Sequence, residues 1–289
     1  GVLPRAAPRA EGELAGGVSG GMRLAGGGVG GGGGRRGRGA GGTAGDAGST
    51  VAVGVAALFI LSAGNALNDA CDADIDRVNR PKRPIPSGRI SPRGAVRFAF
   101  VLTTLGVALA WSVSGMAVAV AAGASVCLVA YALVLKATPL GGNLIVALLT
   151  SGAFAAGGIA VEGVRYAIAP IVFVFLFTVS RELVKDIEDV AGDAEHGART
   201  AAVAWGLPSA VRLATLFGGA GIAFSPVPFL LGWPGFGWRY LVIVAIGVDA
   251  IIATALRGLW LDSSPGTAAR VQRRLKIGSA LGLVAVLVG

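Results

Sequence analysis

The sequence predicts an all-α membrane protein, a polytopic bundle of about nine transmembrane helices. Three observations support this fold class: the mean hydropathy is +0.71, hydrophobic residues make up 54% of the 289 positions, and charged residues make up only 14%. Soluble domains carry about 25% charged residues. The high hydrophobicity excludes disorder for the bulk of the chain, and two cysteines are too few for a disulfide scaffold.

Eight of these helices follow from stretches that carry few or no charges and that approach the ~20 residues needed to cross a bilayer. The uncharged run 98–135 is too long for one span, and the residues 112–115 (SVSG) are typical of a turn within it. We predict helices at residues 51–71, 95–112, 115–136, 142–160, 166–185, 203–224, 239–257 and 273–289.

Basic residues sort strongly to one side of this topology. Of 25 Lys and Arg residues, 17 fall in connections on one side, two fall on the other side, and six belong to residues 1–50. Basic connections face the cytoplasm in membrane proteins, so the side with 17 is predicted to be cytoplasmic. This sorting accounts for the net charge of +9, and we therefore expect no binding of nucleic acid.

The chain divides into a Gly-rich segment, residues 1–50, and a transmembrane domain, residues 51–289. The segment contains 20 of the 48 glycines, a composition typical of flexible linkers. A cytoplasmic N-terminus would nevertheless require one more span before residue 51. We predict this ninth helix within residues 4–34, with a flexible tail as the alternative.

Two acidic motifs repeat at the predicted cytoplasmic ends of spanning helices. The first Asp motif is Asn68–Asp76 (NDACDADID), and the second Asp motif is Asp186–Asp193 (DIEDVAGD). Three carboxylates in each motif share the spacing i, i+3, i+7, and the second set follows the first by 117 residues: Asp69, Asp72 and Asp76, then Asp186, Asp189 and Asp193. On a helix this spacing places each set along one face.

Carboxylates stacked at the C-terminal end of a helix need a cation, because they repel one another and the helix dipole is negative there. Their oxygens suit Mg²⁺, which commonly takes one or two carboxylates together with phosphate oxygens of a substrate. Nearby Lys and Arg side chains complement phosphate. The residues therefore predict Mg²⁺ ions that bridge a phosphorylated ligand, and the alternative is that these are solvated loop charges.

The motifs resemble those of a known family. The first Asp motif and the following residues 79–88 (NRPKRPIPSG) resemble the first signature of the UbiA-type intramembrane prenyltransferases. The second Asp motif resembles their second signature, and residues 131–143 (YALVLKATPLGGN) resemble a third. The order and spacing match over residues 51–289. The lead-in to the second motif, residues 180–193 (SRELVKDIEDVAGD), is most similar to archaeal digeranylgeranylglyceryl phosphate synthases.

This resemblance implies nine transmembrane helices and an enzyme that transfers a prenyl group from an allylic prenyl diphosphate. The diphosphate would lie between the two Asp motifs, bound through two Mg²⁺ ions, with the prenyl tail in an apolar channel. The implied metal ligands are Asn68, Asp69, Asp72, Asp76, Asp186, Asp189 and Asp193, of which Asp72, Asp76, Asp189 and Asp193 are the catalytic candidates. The implied substrate contacts are Asn68, Arg80, Arg83, Tyr131, Lys136, Asn143, Arg181 and Lys185.

The expected acceptor is geranylgeranylglyceryl phosphate, which would attack through its free hydroxyl in the synthesis of archaeal-type membrane ether lipids. An aromatic acid such as 4-hydroxybenzoate, used in quinone synthesis, is the alternative acceptor. A cation-coupled membrane transporter is the alternative of another class, because acidic helix ends can also bind a coupling cation.

Two single residues outside the motifs have a functional and a structural interpretation. Asp249 is an ionisable group within a span, which marks a functional site by default, but we favour pairing with Ser, Thr or backbone. His196 follows the second Asp motif and could shuttle a proton, but we favour a solvated loop residue.

Overall fold

The computed structural model describes residues 42–79, 81–161, 163–195 and 197–289, and within these ranges it contains helices and no strand. The helices are α1 Gly42–Cys71, α2 Ala73–Asn79, α3 Pro92–Trp111, α4 Gly115–Leu133, α5 Gly141–Ala160, α6 Val164–Glu188, α7 Val190–Glu195, α8 Ala201–Trp205, α9 Leu207–Phe224, α10 Val227–Leu230, α11 Trp238–Val242, α12 Ala250–Leu261 and α13 Pro265–Val288. A 3₁₀ turn, Leu135–Ala137, follows α4, and a π-helical segment, Ile243–Asp249, joins α11 to α12.

The predicted fold class is confirmed: the described chain is a helical bundle of the membrane-spanning kind. Seven stretches within it are long and apolar enough to cross a bilayer, namely Ala47–Cys71, Pro92–Trp111, Gly115–Leu133, Gly141–Ala160, Val164–Glu188, Leu207–Leu230 and Trp238–Leu261. The eighth predicted span corresponds to the basic helix α13. The ninth helix, predicted within residues 4–34, lies outside the described residues, so the count of nine stays a prediction.

The helix boundaries follow local capping signals. Ser114 caps α4 by accepting a hydrogen bond from the backbone N–H of Ala117, so the turn predicted at 112–115 is present. The predicted helix 203–224 is interrupted, because Gly206 separates α8 from α9 with φ of 80°. The predicted helix 273–289 begins earlier, at Pro265, because Ser264 caps its first turn.

The bundle is packed unevenly. The larger core joins α5, α6, α9, α12 and α13 and includes fully buried side chains such as Leu183, Ile187, Ile252 and Leu275. A smaller core joins α1, α3 and α4 around Ile60. Beside the smaller core lies an apolar cavity of about 370 Å³ between α1, α4 and α5, bounded mainly by Ala, Gly, Val, Leu and Ile side chains.

Candidate active site

Both Asp motifs continue beyond the end of a spanning helix. Asp72 lies at the break between α1 and α2, and Asp189 lies at the corresponding break between α6 and α7. The backbone N–H groups of both residues, and those of Asp76 and Asp193, still bond to the carbonyl four positions earlier. Each acidic face is therefore kept through its break, although neither motif lies on one uninterrupted helix as the spacing predicted.

Basic side chains from distant parts of the chain neutralise the first Asp motif. Lys136, in the 3₁₀ turn after α4, forms an ion pair with Asp72, and its Nζ lies 3.4 Å from Asn68 Oδ1. Asn68 Nδ2 in turn donates to Asp72 Oδ2 at 3.1 Å. The amide and the ammonium together hold the Asp72 carboxylate in one orientation.

Arg83, from the connection between α2 and α3, joins the other two carboxylates of this motif. Its Nη1 lies 2.9 Å from Asp69 Oδ1 and 2.9 Å from Asp76 Oδ2. Asp76 is buried, with 4% of its surface exposed, so its charge requires such a partner. Asp74 lies off this face and forms an exposed ion pair with Arg77.

The second Asp motif begins inside the packed core. Asp186 is buried on α6, and its Oδ2 accepts a hydrogen bond of 2.9 Å from Asn143 Nδ2, in the first turn of α5. Asp189 and Asp193 follow at partly exposed positions, as the C-cap of α6 and within α7.

One short segment connects the two Asp motifs. Lys136 contacts the first motif and Asn143, seven positions later, contacts the second. Gly141 permits the tight turn between them, because a Cβ at this position would overlap the hydroxyl of Thr138. The ring of Tyr131 lies beside Gly142, at 3.7 Å from the position that a Cβ there would take. All three motifs of the sequence thus meet at one end of the bundle.

A second group of charges lies within the five residues before Asp186 on α6. Arg181 Nη2 donates to Glu182 Oε1 at 2.6 Å, and Lys185 Nζ lies 3.7 Å from Glu182 Oε2. Arg181 and Glu182 are both buried. We call these three residues the α6 ion cluster. The sequence predicts roles for Arg181 and Lys185 but not for Glu182, although Glu182 extends the acidic face through its i, i+4, i+7, i+11 spacing to Asp186, Asp189 and Asp193.

The donor set fits Mg²⁺. Among the described residues, no three His, Cys, Asp or Glu side chains converge on a single point. A magnesium site needs only one or two carboxylates when phosphate oxygens complete the coordination. Asn68 and Asp72 offer adjacent oxygens at the first motif, and Asp186 with its neighbours offers them at the second.

Other predicted residues lie elsewhere. Asp249 pairs with a serine, as we favoured: Ser225 Oγ donates to its Oδ2 at 2.6 Å, and Tyr240 donates to the Ser225 carbonyl at 2.7 Å. These bonds tie the π-helical segment to the end of α9. Arg80 and His196 lie outside the described residues.

Comparisons with known proteins agree with the resemblance. The family model described as the UbiA prenyltransferase family matches residues 39–279. The digeranylgeranylglyceryl phosphate synthase of Methanopyrus kandleri is 40% identical over 245 residues, which cover 84% of this chain and 87% of that protein. The synthase of the same name from Natronomonas pharaonis is 39% identical over 239 residues, which cover 81% of this chain and 82% of that protein.

Solved structures show the same fold. One, with the description "Structural and mechanistic insights into the biosynthesis of Digeranylgeranylglyceryl phosphate synthase in membranes", has a TM-score of 0.82, 28% identity and coverage of 96% of both chains. A UbiA homologue from Archaeoglobus fulgidus, solved with DMAPP and Mg²⁺, has a TM-score of 0.69 and 17% identity, and covers 95% of this chain and 96% of that chain.

Proposed function

This chain belongs to the UbiA prenyltransferase family and is an integral, multi-pass membrane enzyme. We propose that it transfers a geranylgeranyl group to geranylgeranylglyceryl phosphate. The observation that carries this proposal is the connection of the two Asp motifs through Lys136 and Asn143. The acceptor follows from the relatives, which are named digeranylgeranylglyceryl phosphate synthases. Family membership also identifies an enzyme, so the transporter alternative is set aside.

The diphosphate of the donor binds between the Asp motifs. Two Mg²⁺ ions, held by Asn68, Asp69, Asp72, Asp76, Asp186, Asp189 and Asp193, would supply positive charge for the diphosphate and for the negative charge that develops on its leaving oxygen. Lys136 and Arg83 already reach into the first motif, so their cationic ends are close enough to turn to the diphosphate. Tyr131 and Arg80 complete the proposed diphosphate contacts.

The prenyl tail lies in the apolar cavity between α1, α4 and α5. Each CH₂ group removed from water there contributes about 0.8 kcal/mol, so a long tail contributes much of the binding free energy. The lining also keeps water away from the reactive carbon. On α1 the cavity lining ends at Leu61, seven positions or about 10 Å before Asn68, a distance that a geranylgeranyl chain can span.

The reaction exchanges one C–O bond for another. The bond between C1 of the prenyl group and diphosphate breaks, and its electron pair stays on the diphosphate. The acceptor hydroxyl oxygen then bonds to C1 to form an ether, and its proton passes to water or to the departing diphosphate. The 17 basic residues on the side of both motifs favour an active site on the cytoplasmic face.

Purified protein with geranylgeranyl diphosphate and Mg²⁺ tests this proposal. Geranylgeranylglyceryl phosphate and 4-hydroxybenzoate are offered separately, while diphosphate release and product mass are measured. We expect an ether lipid product and one diphosphate released per product. A product formed from the aromatic acid alone would keep the prenyl transfer but replace the acceptor, and folded protein that is silent with both would contradict the proposed reaction.

A further inference from the structure

We propose that the exposed seam between α12 and α13 binds the phosphate of an anionic lipid in the cytoplasmic leaflet. The seam site consists of Arg257 on α12 and of Arg270 and Arg274 on α13, together with the hydroxyl of Thr254. The proposed prenyl transfer uses none of these residues. The inference is therefore independent of the proposed function.

The first half of α13 carries four exposed basic residues, and they point to two different sides of the helix. They are Arg270, Arg273, Arg274 and Lys276. Arg273 and Lys276 interact electrostatically with Glu188 at the end of α6, on the side of the second Asp motif. Arg274 lies on another side, where its Nη2 donates to Thr254 Oγ1 of α12 at 2.7 Å.

Arg270 and Arg274 lie on one stripe along the contact between α12 and α13. They are four positions apart, and a Cβ on Gly278, one turn further along, would lie 3.6 Å from a side chain of α12. The two helices run antiparallel, and Arg257 follows Thr254 by three positions. Arg257 and Arg270 therefore lie within about 1.5 Å of the same depth, and three guanidinium groups converge on the seam.

The protein does not balance the positive charge of this seam. α12 and α13 contain no acidic residue, and within the described part of the chain Arg257 and Arg274 form no ion pair. Arg270 lies 4.0 Å from the Asp262 carboxylate, which already accepts two hydrogen bonds from Ser264. Among the described residues, three cations thus share one carboxylate, which leaves the seam with an excess of positive charge.

The depth of the site favours a membrane lipid over a soluble anion. Thr254 lies seven positions, about 10 Å, inside the end of α12 at Leu261. Trp260, near the same end, is 56% exposed, as is typical of an aromatic side chain at the membrane interface. Basic pockets between spanning helices on the cytoplasmic side bind the head groups of anionic lipids. A phosphate at this depth also offsets the cost of holding charged side chains there.

Each residue of the seam site has a distinct part. Arg270 and Arg274 donate to the phosphate oxygens from α13, and Arg257 donates from α12, since the planar guanidinium group matches the geometry of phosphate. Thr254 is a positioning residue, because its hydroxyl holds Arg274 against α12. The chemical class recognised is a lipid whose phosphate is not balanced by a cation in its own head group, and the acyl or isoprenoid chains lie against the apolar surface of the bundle.

Binding of phosphatidylglycerol to the full chain in detergent tests this inference. Native mass spectrometry counts the bound lipids and gives their affinity, with zwitterionic phosphatidylcholine as the comparison. Arg270→Gln/Arg274→Gln removes two cations of the seam site. The matched control is Arg93→Gln/Arg97→Gln, which removes two exposed cations at the same spacing from the start of α3, on the same side of the membrane.

We expect Arg270→Gln/Arg274→Gln to weaken phosphatidylglycerol binding about 10- to 30-fold, because each basic residue near an anionic head group contributes about 1 kcal/mol. The control should change this affinity less than about twofold, and the wild type should bind phosphatidylcholine more weakly than phosphatidylglycerol. An unchanged affinity in the seam variant, or an equal loss in the control, would overturn the inference.

Two further measurements cover a folding defect and a soluble ligand. If Arg270→Gln/Arg274→Gln does not fold, Arg257→Gln removes one exposed cation of the same site and should weaken phosphatidylglycerol binding about fivefold. An unchanged affinity in this variant would contradict the seam site. Glycerol phosphate is offered as a competitor without a lipid chain, and displacement of the lipid at equal concentration would overturn the assignment to a membrane lipid.

Discussion

The two halves of the bundle hold the same acidic motif in different surroundings. The C-terminal half (α5–α13) contains the larger buried core and the N-terminal half (α1–α4) most of the smaller one. Among the seven described spans, α6 is the most buried, with 61% of its most apolar stretch inside the protein; the other spans of the C-terminal half have 28% to 39%, and those of the N-terminal half have 17% to 33%. The first Asp motif obtains its partners from a loop and a 3₁₀ turn. The second obtains a hydrogen bond to Asp186 from Asn143, at the start of α5.

This difference indicates that the two halves have different roles in the proposed reaction. The packed half fixes the inner charges that would orient the reacting groups, and close packing is what holds such side chains in position. The looser half, where it faces α5, leaves room for a long apolar chain. A repeat in the sequence thus does not imply two equivalent sites, because packing decides what each copy can do.

The largest expected effect tests whether both motifs are required despite this difference. Asp72→Ala and Asp189→Ala should each lower diphosphate release by about 10²- to 10³-fold, because each removes charge that stabilises the leaving group. Both residues lie at helix breaks and are only partly buried, so the variants should stay folded in detergent. Asp74→Ala, which removes the exposed acid of the first motif, is the control and should keep full activity. Normal turnover in either of the first two variants would contradict the two-motif site.

The second prediction compares the stability of the two charge groups. Glu182→Gln should lower the free energy of unfolding by about 3 kcal/mol, because it removes one charge of a buried ion pair and leaves the other in place. Asp69→Asn should cost less than about 1 kcal/mol, since Asp69 is partly exposed and Arg83 keeps Asp76.

Thermal unfolding in detergent measures both changes. The double variant Arg181→Met/Glu182→Met should regain most of the stability lost in Glu182→Gln, because it removes both buried charges. Equal losses at Glu182 and Asp69 would mean that the two charge groups do not differ in burial as described.

The third prediction concerns the apolar cavity. Gly152 lines it, and a Cβ at this position would meet nothing within 4 Å, so Gly152→Leu adds a side chain to open space. Displacing about two CH₂ groups of a long tail costs ~1.6 kcal/mol, which lowers kcat/KM for geranylgeranyl diphosphate roughly tenfold. The value for dimethylallyl diphosphate should stay the same.

Gly219→Leu is the control for this substitution. Gly219 is also helical and open, but it lies on α9, away from the cavity. Both variants should gain about 1 kcal/mol of stability from the better helix propensity of leucine. A similar loss for the long and the short substrate in Gly152→Leu would place the tail elsewhere.

The smallest effect concerns the start of α13, which belongs to the packed half but lies apart from the site. Hydrogen bonds from the Thr267 hydroxyl and from the amide and hydroxyl of Ser264 hold the pKa of Asp262 below its usual value. The ionised carboxylate therefore stabilises the fold above pH ~4, and this contribution is lost as the pH falls through the lower pKa of the folded state. Melting temperatures of the wild type and Asp262→Asn should differ slightly at pH 7, and the difference should shrink as the pH falls below ~4. A difference in melting temperature that does not change with pH would contradict this role of the Asp262 carboxylate.

Much of the fold could be predicted from the sequence, because spanning helices need long uncharged stretches and these are visible directly. The predicted helix 142–160 and the turn at 112–115 agree closely with α5 and with the start of α4. The early start of α13 was missed because four basic residues in its first half do not match an apolar span. The interruption at Gly206 depends on one backbone conformation, which a local pattern does not specify.

The site was predictable only in part. The repeated spacing of the Asp motifs located the carboxylates, and the third motif located Lys136 and Asn143. The contacts themselves, such as Lys136 with Asp72 across 64 positions, depend on how distant segments pack. Glu182 was missed because it lies four positions before the second Asp motif in the chain. Its membership of the same acidic face follows only when the motif is continued one helical turn backward.

The small residues that bound the apolar cavity, such as Ala121, Ala124 and Gly152, have a consequence for how such an enzyme can change over generations. Nearly every replacement at these positions enlarges a side chain, so, with the prenyl tail bound there as proposed, inherited variation would shorten the accommodated chain more readily than lengthen it. The charged groups lie on other turns of the helices and are untouched by these changes. Chain length can therefore diverge among descendants while the bond-breaking chemistry stays the same.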